Sequence, residues 1–310
     1  MSVPRSDYLS PIWRDGIFDN RVVFVTGGAG TICSAQTRAL VALGANACII
    51  GRNVEKTESA AVSIATARPG AKVIGIGGVD VRSYDEVARA ATRCVEELGG
   101  IDYVIAGAAG NFVAPISQLT SNGFKSVMDI DVLGTYNTAK ATLDYLVASA
   151  KKNGSAGGGR FIAISATFHY TGLPLQAHVS AAKAGVDAIV GSIALEYGPL
   201  GVTANVIAPG AIEATEGMER LATKNMMGQE GLAKAIPSGR LGRVRDIADA
   251  TVYLLSEAGD YVNGVIFVVD GASWRRQGAT AVGIDPDMAY PDFLIKGQIG
   301  DVKSGRKSKL

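Results

Sequence analysis

From residue 21 to residue 50 the chain reads RVVFVT, GGAG, TICSAQTRALVALG and ANACII: a short apolar strand, a glycine turn, an amphipathic helix and a second apolar strand. This stretch constrains the fold more than any other. Two parallel strands joined through a helix need a sheet whose faces are covered by such helices. Glycines between a strand and a helix let the backbone approach a ligand closely, and the first amides of the helix, which have no acceptor within it, favour a phosphate. The turn therefore admits two readings, a pyrophosphate site or a tight connection with no ligand.

The alternation continues. Helical periodicity covers 53–68, 83–98, 120–148, 176–197 and 244–256, and apolar strands lie within AKVIGIGGVDV, IDYVIAGAAG, RFIAIS, GVTANVIAPGAI and GVIFVVDG. The expected fold is α/β, a single Rossmann-like doubly wound domain with a seven-stranded parallel sheet and helices on both faces. Right-handed crossovers put every strand's C-terminal end on one rim, where Gly27, Arg52, Asp80 and Gly107 gather, and a shared rim favours a dinucleotide. After the second strand stands Gly51-Arg52-Asn53, where an NAD site usually offers a carboxylate. Arginine suits a 2′-phosphate, which points to NADPH; the alternative is a solvated surface arginine.

Thirty basic against 29 acidic residues leave a net charge of +1 in 310 residues, so nothing points to nucleic acid or an anionic membrane surface. Cys33, Cys48 and Cys94 have no CxxC spacing and no histidine pair beside them, which gives no metal site and fits a reducing compartment. The first 20 residues lack a basic region followed by an apolar run, and no apolar run reaches the length of about 18 that would span a bilayer, so a soluble, unprocessed protein without membrane insertion is expected. The expected layout is an N-terminal extension over 1–20, the nucleotide-binding domain over 21–271 with a substrate lid at about 215–241, and a tail over 272–310. The tail ends Ser308-Lys309-Leu310, the pattern of an address read by the peroxisomal import receptor, so the peroxisomal matrix is the expected location.

Two charged residues stand out in apolar surroundings. Asp131 falls in the middle of the 120–148 helix, a poor place for aspartate, and belongs either on the solvent face or buried against a cation. Lys183 is the lone lysine in a comparable setting, and Val179 lies one helical turn before it.

TGGAGTI at 26–32, DVR at 80–82, AGAAG at 106–110, Lys183 and NVIAPGAI at 205–212 resemble the short-chain dehydrogenase/reductase family over about 21–271. The resemblance implies cofactor contacts from Gly27, Gly28, Ala29, Gly30, Thr31, Ile32, Arg52, Asp80, Val81, Ala108, Lys183, Pro209, Gly210, Ile212 and Thr215. Thr31 and Cys33 replace the second and third glycines of the family's loop, and Val179 replaces the tyrosine of its YxxxK pair. Asp131 stands where the family usually has asparagine, and the usual serine position is Ala166, with Ser165 one residue early.

These departures, together with AAGNF at 108–112, MDID at 128–131, SAT at 165–167, SAAKAG at 180–185 and TEG at 215–217, are similar to a subgroup that reduces conjugated dienoyl thioesters of coenzyme A. That resemblance implies NADPH-dependent conversion of a 2,4-dienoyl-CoA to a 3-enoyl-CoA in the β-oxidation of unsaturated fatty acids. Hydride reaches C5, and Asp131 and Lys183 serve the water-mediated protonation at Cα. Matching to the subgroup nominates Arg82, Phe112 and Arg220 for the acyl-CoA, and implies a homodimer or homotetramer touching through the helices near 120–148 and 176–197. Two other readings stay open: an NADPH-dependent carbonyl reductase using Tyr170 or His178 as acid, and a catalytically silent NADP-binding scaffold.

Overall fold

The computed structural model describes residues 3–154, 158–215 and 229–278. Its strands are β1 (Val22–Thr26), β2 (Asn46–Ile50), β3 (Val73–Ile76), β4 (Tyr103–Ala106), β5 (Arg160–Ile164), β6 (Thr203–Pro209) and β7 (Ile266–Val269). They form one parallel seven-stranded sheet in the order β3-β2-β1-β4-β5-β6-β7. β1 is buried along its whole length, as a central strand covered on both faces must be. The order reverses between β1 and β4, which opens a crevice beyond their C-terminal ends.

The helices are α1 (Thr31–Ala42), α2 (Val54–Ala65), α3 (Tyr84–Leu98), α4 (Ser121–Met128), α5 (Gly134–Asn153), α6 (Phe168–Thr171), α7 (Ala177–Tyr197), α8 (Gln229–Ala235) and α9 (Val244–Leu255). Several start on side-chain caps: Asn53, Ser83 and Thr120 each accept from the third residue of the helix that follows. Two apolar clusters lie on the two faces of the sheet, one around α1 and α9, the other around α3, α5 and α7.

Three segments differ from the sequence reading. The expected continuous helix over 120–148 is instead α4, a π-helical turn at Asp129–Leu133, and α5, which runs on to Asn153. A widened turn of this kind is common at functional sites, and here it carries Asp131. The last turn of α5 lies beyond position 148, where the expected helix ended, and is held by tertiary bonds: Ser149 Oγ donates to Asp102 Oδ1 at 2.5 Å and Asn153 Nδ2 to the same oxygen at 3.2 Å. Between β5 and the helix expected from 176, where the sequence reading placed no element, lies the single turn α6, whose His169 and Tyr170 are both anchored on Asp187.

The segment ahead of β1 is packed on the domain, with Tyr8, Leu9 and Phe18 buried. Ser10 N and Trp13 Nε1 both donate to Asp249 Oδ1 on α9, at 3.0 and 2.8 Å. Most of the expected lid (216–228), Arg220 with it, and the tail from 279, including Ser308-Lys309-Leu310, lie outside the described residues.

Candidate active site

At the crevice, Thr26 Oγ1 accepts from Gly107 N at 3.2 Å and Ala108 N at 3.3 Å, so the ends of β1 and β4 are locked together. Gly27 follows with φ +65°, and a Cβ there would stand 2.9 Å from Ala108 Cα, so only glycine fits. Gly30 caps α1, and the first helical bond runs from Ser34 N to Gly30 O at 2.8 Å. The amides of Thr31, Ile32 and Cys33 therefore have no acceptor inside the helix and face a phosphate position.

Two cavities meet over this turn and share Gly27, Gly30, Gly107 and Ala109. The first, about 350 Å³, collects Ala29, Arg52, Asp80, Val81 and Ala108. The second, about 470 Å³, collects Thr31, Ile32, Lys183, Pro209, Gly210, Ile212 and Thr215. Every residue named from sequence for the cofactor thus lines one of the two, except Gly28, which packs beneath the turn against Ile49. A glycine cradle and free helix amides fit a nicotinamide dinucleotide. Lys56, on the first turn of α2, also lines the first cavity; its place four residues after Arg52 was the available signal.

Lys183 reaches the floor of the second cavity from α7. Its Nζ donates to Ile164 O at 3.0 Å and stands 3.0 Å from Asp131 Oδ2. Asp131 is fully buried, and its Oδ1 accepts from Gly110 N at 2.7 Å. The Lys183–Asp131 contact is an ion pair whose geometry falls short of an aligned hydrogen bond, so Oδ2 is satisfied by charge more than by direction. Lys183 faces the cavity; Asp131 sits behind it. Val179, 2% exposed, also lines the cavity one turn before Lys183, and Ser165 and Ala166 stand opposite at the end of β5.

The other nominated residues are placed differently. Arg82 is bound to Asp80, Nη2 to Oδ2 at 2.5 Å with Nε on both oxygens at 3.0 Å, and is not among the residues lining the second cavity. Its guanidinium, chiefly by that hydrogen bond, holds the Asp80 carboxyl below the usual carboxylate range. Phe112 stacks on His178 with ring centroids 4.3 Å apart, and its carbonyl accepts from Gln176 Nε2 and His178 Nε2 at 3.2 and 3.0 Å. Asn111, its neighbour, lines the cavity in its place. Tyr170 donates to Asp187 Oδ2 at 2.6 Å, and burial followed by that bond pushes its pKa far above the usual tyrosine range. Neither Tyr170 nor His178 is among the lining residues of the cavity.

Residues 27–272 match the sequence model of a family described as enoyl-(acyl carrier protein) reductase, most of the chain. The chain belongs to the short-chain dehydrogenase/reductase family. Within it, the chain is 51% identical over 285 residues, 92% of each protein, to a peroxisomal 2,4-dienoyl-CoA reductase of Saccharomyces cerevisiae described as (3E)-enoyl-CoA-producing. A protein of the same description from Arabidopsis thaliana is 37% identical over 264 residues, 84% of this chain and 87% of that protein. Among solved structures, levodione reductase superposes with a TM-score of 0.76 at 27% identity, covering 83% of this chain and 99% of that one. The chain is thus a family member whose Lys183 has Val179 one helical turn before it and the buried Asp131 beside it.

Proposed function

We propose that the chain is an NADPH-dependent 2,4-dienoyl-CoA reductase that forms a 3-enoyl-CoA during β-oxidation of unsaturated fatty acids. The observation that carries this reading is the buried Lys183–Asp131 pair beside a cavity in which Val179 takes the place of a phenolic acid. Reduction of a ketone creates an alkoxide next to the hydride donor and needs an acid there. Valine supplies none. In conjugate reduction the charge moves to the thioester oxygen instead, away from the carbon that receives hydride, and an acid at position 179 is not required.

When bound, the nicotinamide supplies a hydride, which goes to C5 of the dienoyl chain. Lys183, fixed by Ile164 O and Asp131, holds the cofactor ribose and polarises the water that protonates Cα. Asp131 holds the ammonium in place from behind, so it is a positioning residue. Asn111 offers an amide to the thioester oxygen from the cavity wall. Arg52 and Lys56 take the 2′-phosphate of NADPH at the rim of the first cavity. A silent scaffold would have no use for a fully buried carboxylate and its lysine, a pair whose desolvation is costly.

Both relatives are named peroxisomal, and the peroxisomal matrix is the proposed location. Homo-oligomerisation is proposed with it, through the exposed Leu133 and Tyr136 and the exposed Leu195 of α7.

The test is direct. Purified protein with NADPH and 2,4-hexadienoyl-CoA should oxidise NADPH and release 3-hexenoyl-CoA, with NADH much slower. Turnover of a ketone without turnover of the dienoyl thioester defeats the reading.

A further inference from the structure

An acyl-CoA brings several phosphate charges, yet among the described residues lining the larger cavity Lys183 is the one charged side chain, and it is committed to Asp131. The phosphates need a cation elsewhere. Past β7 the chain turns through Gly271 (φ +63°) and Ala272 (φ +68°), and Asp270 Oδ2 accepts from Trp274 N at 2.7 Å, which fixes the turn. Ser273 and Trp274 line the cavity.

The indole of Trp274 has two close neighbours. Tyr170 lies against it with ring centroids 5.6 Å apart, its own hydroxyl tied to Asp187 on the helix that carries Lys183. The Arg275 guanidinium sits 3.9 Å from the indole centroid, within the range of a cation–π contact. Arg276 is spent differently, donating to the carbonyls of Lys234 and Ala235 at the end of α8. Arg275 itself is exposed, and no carboxylate is paired with it among the described residues.

We propose that Trp274 and Arg275 form the coenzyme A gate of this cavity: the indole flanks the pantetheine arm as it leaves the acyl pocket, and the stacked guanidinium binds the phosphates of the CoA moiety. This inference rests on the acyl-CoA reading given above. Stacking restrains the guanidinium before the ligand arrives, and its planar fork matches a phosphate. Specificity for a CoA thioester, as against a shorter thioester, then comes from a residue outside the reaction centre.

Binding separates this site from the chemistry. Hexanoyl-CoA, which is saturated, and hexanoyl-pantetheine, which has no phosphates, are titrated into the NADPH complex of wild-type protein, Arg275→Glu and Arg275→Lys by calorimetry at low and at physiological salt. The expected result is a loss of hexanoyl-CoA affinity of about tenfold or more in Arg275→Glu, part of it restored in Arg275→Lys, with hexanoyl-pantetheine unchanged. Unchanged hexanoyl-CoA binding in Arg275→Glu, or an equal loss for both ligands, overturns the gate. Phosphate-dependent binding that Arg275→Glu weakens, with no turnover of a dienoyl-CoA by wild-type protein, keeps the gate and defeats the catalytic reading instead.

Discussion

Lys183 Nζ stands 3.0 Å from Asp131 Oδ2, while Asp131 Oδ1 takes the amide of Gly110 at 2.7 Å. One buried carboxylate therefore ties the helix of the lysine to the loop that carries Asn111 into the cavity. Asp131→Asn keeps an acceptor for Gly110 and removes the charge that holds the ammonium. A fall in kcat of about a hundredfold or more is expected, with the Kd for NADPH changed little. Lys183→Ala should lose both turnover and much of the cofactor affinity. Normal kcat in Asp131→Asn would remove the aspartate from the mechanism.

Val179 tests the same relationship from the other side. It is 2% exposed and part of the cavity wall, so Val179→Tyr must push a ring into the space of the acyl chain. A raised KM for the dienoyl-CoA and no useful ketone reduction are expected, since the lysine that would lower the phenol's pKa is already paired with Asp131. Ketone turnover by Val179→Tyr at the rate of the dienoyl reaction would show that the missing tyrosine alone sets the reaction.

Arg52 stands with Lys56 at the rim of the first cavity. Arg52→Glu places a carboxylate where a ribose hydroxyl would be welcome and a 2′-phosphate would not. KM for NADPH should rise by roughly ten- to a hundredfold while NADH improves, as measured by steady-state kinetics with each cofactor. Equal effects on both cofactors would move the phosphate site elsewhere.

Much of this was legible in the sequence, for physical reasons. Seven parallel strands follow from the alternation of strand and helix, and Gly27, Arg52, Asp80 and Gly107 meet because crossover handedness brings strand ends to one rim; the strand order carries no mark in the sequence. The gap at Val179 and the isolated charges of Asp131 and Lys183 could be read because burial makes such residues conspicuous. What was not legible depends on which loops meet. The π turn at Asp129–Leu133 leaves no mark in the apolar periodicity. The bond between Arg82 and Asp80, two residues apart, was not read from the sequence, which nominated Arg82 for the substrate. Trp274 lies far from Lys183 in sequence and joins its cavity only because β7 ends on the same rim.

Burial pushes the Cys33 thiol up to about 12, with the Lys183 charge opposing it. The native protein keeps this proton after the unfolded chain, at the ordinary 9.0, has lost it, so stability from this group is full below pH 9 and is lost as pH rises toward 12. Native protein at pH 8.5 (about half a unit below the unfolded value) should leave Cys33 unlabelled by iodoacetamide, and denatured protein should label it, as read by peptide mass mapping. Rapid native labelling would mean that the thiol is open to solvent.

The same sulfur fills space that a glycine leaves open at the end of β4. A Cβ on Gly107 would lie 2.2 Å from Cys33 Sγ, so the atom added at position 33 occupies space that glycine leaves free at 107. Gly107→Ala should therefore destabilise the protein by about 1–3 kcal/mol, because Thr26 O and β5 close the other sides. Cys33→Ala removes the sulfur, and the double variant Cys33→Ala/Gly107→Ala should recover most of that loss in urea unfolding. Simple additivity of the two changes would show that the sulfur and the glycine do not share this space, and that the substituted loop is accommodated by the turn at Gly27 alone.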